Sequence, residues 1–425
     1  MLLIKNGTVV DPEKEQPFKA DVLMEGDRIL RISECIEMPG AEIIDAAGKY
    51  VAPGLIDVHV HFRDPGFTHK EDIETGAVAA AAGGFTSVVL MANTNPTVDN
   101  DETLRYVIDK GAKTAINVYT CATVTMGMQG QEMVDMDGLL KNGAVGFTDD
   151  GKPIMDEALV RSAMEKVAEL NVPISFHEEN PAFIENNGIN HGEASEFFGI
   201  GGSDRSAEID MIKRDIEMAL TTGAQVDIQH ISSKEGVELV RQGRARALEM
   251  GRVEPNIHAE ATPHHFALTE KAAIEHGTLA KMNPPLRTEE DRQAIIAALK
   301  DGTIDLIATD HAPHSAEEKA ADITKAPSGI IGLETALPLA ITYLHHEAGM
   351  SLNEIVRKMS YNPAKLYHLD GGCIAEGGKA DLVIFDADEK QVFTEYKSKS
   401  SNSPFTGKEL TGKVCQTICG GRVIF

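Results

Sequence analysis

The chain has 425 residues, 42% of them hydrophobic, and 40 basic against 66 acidic residues give it a formal charge of -26 and a pI ≈ 5.0. That length exceeds one ordinary core and calls for a large barrel or two domains, while the acidic surplus excludes nucleic acid and anionic membrane as partner classes. Five cysteines, scattered and odd in number, fit reduced thiols; with Lys5 and Gly7 interrupting the apolar start and no uncharged run long enough for a membrane span, a cytoplasmic protein is expected.

Residues 1–50 hold short alternating runs at 2–10, 20–24 and 28–32, separated by Gly, Pro and charge, which read as antiparallel strands. The pattern returns after residue 370, at 380–386 and 420–425. Neither end has enough strands to close a core, so 1–52 and 370–425 are expected to form one small β-sandwich domain. Cys415 and Cys419 lie in the strand-like run 414–418 with no third ligand nearby and read as packing.

Between the ends, over 53–369, apolar runs alternate with amphipathic helical patterns. The runs fall at 54–61, 86–92, 115–121, 144–148, 173–177, 225–231, 256–261 and 304–309; helices are predicted at 157–170 and 207–220, for example. Eight β/α units predict a TIM barrel, whose chemistry gathers at the C-terminal strand ends.

Those ends carry ligand-type residues. His59 and His61 alternate onto one face of the first strand, a metal-type pairing, and Arg63 continues that face with a donor fork suited to carboxylate or phosphate. Asn93 follows strand two, Asp149 and Asp150 end strand four, His177 strand five, His230 strand six, and Asp310, His311 and His314 follow strand eight. So many histidines and carboxylates at converging ends exceed what an unpaired core tolerates. Spacing leaves open which of Asp149 and Asp150 is a ligand. Glu260 and Thr262 add polar groups of unassigned role, and His264 and His265 read as hydrogen-bonding groups around the site.

Four motifs carry a resemblance that runs from end to end: Asp57-Val58-His59-Val60-His61-Phe62-Arg63-Asp64-Pro65-Gly66, Met91-Ala92-Asn93-Thr94-Asn95-Pro96, Phe147-Thr148-Asp149-Asp150-Gly151 and Ala308-Thr309-Asp310-His311-Ala312-Pro313-His314. In these the chain resembles the dihydroorotases of the amidohydrolase superfamily. The resemblance implies a TIM barrel beside a β domain built from both termini. It also implies two Zn²⁺ ions with a bridging hydroxide: His59, His61 and Asp310 on one, His177 and His230 on the other, Asp150 between them in place of the carboxylated lysine of many relatives. Asp310 would be the general base and then the general acid. Arg63, Asn93 and His314 would hold the substrate carboxylate, His61 would border the substrate, Asn283 would contact the ring, and Ser328 and Gly329 would close over it. Ser328 departs from the family, where Phe is common.

The implied reaction is the cyclisation of N-carbamoyl-L-aspartate to L-dihydroorotate, the third step of pyrimidine synthesis. A homodimer and association with an aspartate transcarbamoylase come with the same resemblance. The rivals are a dihydropyrimidinase, hydantoinase or allantoinase, against which Arg63 speaks because a neutral ring leaves its guanidinium unpaired, and a non-catalytic scaffold, which would have lost ligands. The long connection 312–329 is expected to be a mobile lid, with a short helix capped by Ser315 as the alternative.

Overall fold

The computed structural model describes residues 1–425. All eight apolar runs become parallel strands: β1 (Leu55–Val60), β2 (Phe85–Leu90), β3 (Asn117–Thr120), β4 (Phe147–Thr148), β5 (Pro173–Phe176), β6 (Gln225–Ile228), β7 (Ile257–Ala261) and β8 (Leu306–Ile307). Strands β1 to β3 pair in one run and β4 to β8 in another. Single parallel bridges, Ala122 to Phe147 and Val60 to His311, join the runs at both seams, so the sheet closes into a (β/α)8 barrel. Thr148 N donates to Ala122 O at 2.9 Å and His61 N to His311 O at 2.9 Å across these seams.

Alternation along each strand divides the barrel wall. Val226, Ile228, Ala259 and Ala261 join the large apolar cluster with the helices. Gln229 faces the other way and donates to Ser175 Oγ at 3.2 Å, while Asp227 and Glu260 are fully buried. The barrel axis is therefore polar just below the strand ends. The helices fall where expected: Glu157–Leu170 is capped by Asp156, buries Val160, Ala163, Met164 and Val167, and stops at Asn171 in the left-handed region. Each larger apolar side chain of that stripe contributes roughly 1.5–3 kcal/mol on leaving water. Ser206–Thr222 ends at Gly223, whose φ of 84° favours glycine.

The terminal segments form two sheets. Arg28–Ser33, Asp21–Glu25, Leu2–Lys5 and Glu42–Asp45 make a four-stranded sheet; Arg422–Val423, Glu409–Cys419, Leu382–Val392, Tyr50–Pro53, Thr8–Val9 and Phe18–Lys19 make a six-stranded one. Leu2, Ile4, Val22 and Met24 of the first share one apolar cluster with Val9, Val51, Leu382, Ile384 and Ile418 of the second, so strands from both ends enclose a common core.

Two expectations change in detail. Leu2–Lys5 pairs parallel with Glu42–Asp45, and Thr8–Val9 parallel with Tyr50–Pro53, so the terminal strands are not all antiparallel. The single run 2–10 is also split, because Asn6 at φ 64° turns the chain from one sheet to the other, and a Cβ on Gly7 would lie 2.6 Å from Val51 Cγ2. The 312–329 connection contains the helix Ala316–Lys319 with the Ser315 capping box, the alternative set beside a mobile lid. No helix is long and apolar enough to cross a membrane.

Candidate metal centre

The ends of β1, β4, β5, β6 and β8 converge on the Asp150 carboxylate. Its Oδ1 lies 3.6 Å from His59 Nε2, 3.6 Å from His177 Nδ1 and 3.8 Å from His230 Nε2, and its Oδ2 lies 3.4 Å from His61 Nε2. Asp310 Oδ1 is 2.9 Å from His61 Nε2 and 3.5 Å from His59 Nε2. Three overlapping groups of ligand atoms result: His59, His61 and Asp150; His59, His230 and Asp310; Asp150, His177 and His230. Asp149 points elsewhere. Its carboxylate accepts from Val124 N at 2.8 Å, Thr125 N at 3.1 Å and the Thr125 hydroxyl, which settles the geometry that spacing left open.

The imidazoles are oriented from behind by groups to which the sequence assigned no role. His59 Nδ1 lies 2.8 Å from Glu260 Oε2, and His177 Nε2 lies 2.9 Å from Glu179 Oε2. With each rear nitrogen donating to a carboxylate, the opposite nitrogen presents a lone pair to the centre. For His61 the Asn93 amide does this: Asn93 Oδ1 is 3.0 Å from His61 Nδ1, and its Nδ2 donates to Asp150 Oδ2 at 3.2 Å. The signal for Glu179 was its two-residue offset from His177, which puts both on one face of a strand end.

Electrostatics and unmet bonding both call for a cation. Burial pushes the Asp150 and Asp310 carboxyls up, but the surrounding imidazoles outweigh it and hold both well below the usual range. Burial likewise works against charge on His177, yet Asp150 and Glu179 raise it to about 10, so these carboxylates favour a positive charge there, a proton or a metal ion in its place. Four buried carboxylates thus face four histidines, a charge balance a metal would meet. His59 Nε2 is buried without a hydrogen-bond partner, aimed at Asp150 and Asp310. A nitrogen and oxygen donor set of this kind suits zinc or a similar divalent ion.

Beside the centre is a cavity of ≈ 180 Å³ whose wall includes eleven of the twelve site residues expected from sequence; only His59 lies beneath it. Arg63 does not continue an extended strand, since β1 stops at Val60 and Arg63 sits at φ 60°. It reaches the cavity through this turn, donating from Nε to Pro313 O at 3.2 Å. No carboxylate forms an ion pair with the guanidinium; Arg63 lines the cavity with its Nη2 3.4 Å from His314 Nε2. His230 and Asp310 also have left-handed backbones, at φ 35° and 47°, so strained positions cluster at the site.

Burial first, then the Arg63, Lys70 and Lys319 cations, lower His314 to about 2. The neutral ring points Nε2 at Ser328 O, 2.8 Å away, and Nδ1 at Lys70 Nζ, 3.4 Å away. Asn283 Oδ1 is buried without a partner at the cavity wall. His265 bridges Thr262 Oγ1 at 2.7 Å and Pro284 O at 3.0 Å, the hydrogen-bonding role expected of it. His264 Nε2 finds no partner.

Comparison with known proteins adds an independent line. A family model described as "Dihydro-orotase-like" matches residues 48–236, and one described as "Amidohydrolase family" matches 330–425. A protein of Clostridioides difficile (strain 630) named "Dihydroorotase" is 52% identical over 426 residues, covering 100% of both chains. One of the same name from Clostridium acetobutylicum is 52% identical over 428 residues, covering 100% of this chain and 99% of its own. Among solved structures, an L-hydantoinase (dihydropyrimidinase) from Arthrobacter aurescens superposes with a TM-score of 0.87 at 25% identity, covering 100% of this chain and 95% of that one. A Thermus sp. D-hydantoinase gives 0.84 at 26%, with 100% and 95% coverage. Identity near one half over the whole length places this chain in the dihydroorotase family.

Proposed function

We propose that the chain catalyses the reversible cyclisation of N-carbamoyl-L-aspartate to L-dihydroorotate with loss of water. The observation that carries this reading is Arg63: a guanidinium without a carboxylate partner, lining a small cavity beside a carboxylate-histidine centre. A neutral hydantoin or dihydrouracil would leave that fork unpaired in a closed site, at a desolvation cost of roughly 1–3 kcal/mol or more. The structural likeness to hydantoinases accounts for a common barrel and metal chemistry, and Arg63 sets the substrate apart.

In this reading His59, His61, Asp150, His177, His230 and Asp310 would together hold a pair of Zn²⁺ ions, with Asp150 common to two of the three ligand groups. When bound, the pair of cations supplies Lewis acidity to the ring carbonyl and lowers the pKa of water toward neutrality. Asp310, ionised by its histidine neighbours, takes a proton from the attacking water. As the ring C–N bond breaks, Asp310 returns that proton to the leaving nitrogen, and the reverse sequence closes the ring. Arg63 pairs with the carboxylate, His314 borders it, and Asn283 offers its unpartnered oxygen to a ring N–H. Asn93 contributes chiefly by holding His61 and Asp150. Ser328 and Gly329 cover the ring, and closure of 312–329 over substrate belongs to the same account, as do the division into 1–52 with 370–425 and 53–369, a homodimer, association with a transcarbamoylase and a cytoplasmic location. Metal analysis beside hydrolysis of L-dihydroorotate tests the core of it. Well under one metal equivalent after reconstitution, or no hydrolysis by metal-replete protein, overturns it.

A further inference from the structure

The residues between Leu382–Val392 and Glu409–Cys419 leave the terminal sheet and run across the catalytic face of the barrel. Within them Asn402 is 3% exposed, and every polar group of its side chain is engaged. Its Nδ2 donates to Ala312 O at 3.0 Å and to Gly329 O at 3.0 Å, while its Oδ1 accepts from His314 N at 3.0 Å. Only one orientation of the amide satisfies two carbonyls and one N–H, so the assignment is fixed by its partners. Its backbone oxygen accepts from Ile331 N at 3.1 Å. One residue thus ties both ends of the 312–329 connection together.

The preceding residues tie down the other wall of the pocket. Ser400 Oγ donates to Lys70 O at 2.6 Å, and Lys399 Nζ donates to Thr68 O at 2.7 Å and to Asp72 Oδ2 at 2.7 Å. The Glu71 carboxylate accepts from Lys399 N at 3.2 Å and from the Ser398 hydroxyl. This is the turn that follows Arg63. The strap from 398 to 402 therefore stitches the turn after β1 to the connection after β8, and Arg63 and His314, one on each, meet across the seam with Nη2 and Nε2 3.4 Å apart.

We propose that this strap, through Asn402 above all, is a positioning element that sets the carboxylate-binding pocket between Arg63 and His314. The inference rests on the proposed function and deepens it: substrate selection depends on a C-terminal segment outside the barrel. Asn402 touches neither the metal ligands nor the cavity, so its effect is on the spacing of the groups that do.

The test is Asn402→Asp, which keeps an acceptor for His314 N but turns a second oxygen toward the carbonyls of Ala312 and Gly329. The expected result is a KM for L-dihydroorotate raised about tenfold or more, with kcat and bound metal within about twofold of wild type, because ground-state grip is lost while the centre is intact. A residue needed only for folding would instead lower metal content and kcat with the active fraction and leave KM in place. If Asn402→Asp does not fold, Lys399→Met, on a side chain 39% exposed, loosens the other arm of the strap and is expected to raise KM at least about threefold. A KM within twofold of wild type in the folded, metal-replete variant overturns the inference. Wild-type protein assayed alongside separates the cases: an inactive wild type removes the proposed function and this inference with it, whereas an active wild type with an unmoved variant KM removes this inference alone.

Discussion

Glu260 Oε2 sits 2.8 Å from Nδ1 of His59, and neither side chain is exposed to solvent at all. The pairing fixes the imidazole so that Nε2 faces Asp150 and Asp310. Glu260→Gln keeps the shape but removes the charge that anchors the donated proton. Divalent-metal affinity should fall roughly 10–100-fold with the fold intact, read by competition with a chelator. Unchanged affinity would show that His59 needs no such anchor.

Asp149 and Asp150 are neighbours with opposite expected outcomes. Asp150→Ala removes the carboxylate common to two of the ligand groups and should abolish stoichiometric metal binding. Asp149→Ala should retain metal but cost on the order of 3 kcal/mol of stability, since it strands Val124 N, Thr125 N and the Thr125 hydroxyl in the interior. Denaturant unfolding beside metal analysis distinguishes them, and a metal-free but stable Asp149→Ala would reverse the assignment.

His177→Ala should remove mainly one of two metal equivalents, because His177 belongs to a single group, the one with Asp150 and His230. Loss of both, or of neither, contradicts the two-site division. Ser328→Phe should tighten substrate binding if 312–329 closes over the ring, and hydrogen exchange across that connection should slow with saturating L-dihydroorotate.

Much of this was written in the sequence. The eight strands were legible because each sits in a run dominated by apolar residues, and the candidate ligands because they recur where those runs stop. The role of Arg63 was inferred from strand alternation that the chain does not keep: a left-handed turn, which no periodicity records, carries it to the cavity. Glu260 and Glu179 stood in plain view as strand-end acids, yet their use depends on imidazole orientation, a three-dimensional fact. Asn402 lies 88 residues from His314 in sequence, in a stretch without periodicity, so nothing local connected the two. The short strands β4 and β8 were over-extended for the same reason: their apolar flanks pack as loop.

Lys319 gives a pH dependence with a defined sign. Burial, reinforced by the Lys281 charge, lowers it from 10.5 to about 7, while its Nζ donates to Pro327 O at 2.9 Å and Gly329 O at 3.0 Å. The unfolded chain therefore binds more protons than the folded one between pH 7 and 10.5, and stability should rise with pH through that window by up to a few kcal/mol. In Lys319→Met that share of the rise should be lost, leaving what Lys358, lowered by burial to about 8, contributes. Urea unfolding at the two ends of the window checks this, and an equal slope in both proteins would contradict it.

Arg63→Lys retains the charge and loses the fork, so kcat/KM for L-dihydroorotate should drop by the equivalent of about 2–3 kcal/mol. An undiminished value would move the carboxylate contact elsewhere in the cavity.

The most direct measurement is the ratio of kcat/KM for L-dihydroorotate to that for dihydrouracil, taken on metal-replete wild-type protein. A site built around a guanidinium for the substrate carboxylate should favour dihydroorotate by roughly 10³-fold or more, as sites with an unpaired buried polar group do against analogues that lack its partner. A ratio at or below one would contradict the account and place the chain's activity with the neutral-ring hydrolases that share its fold.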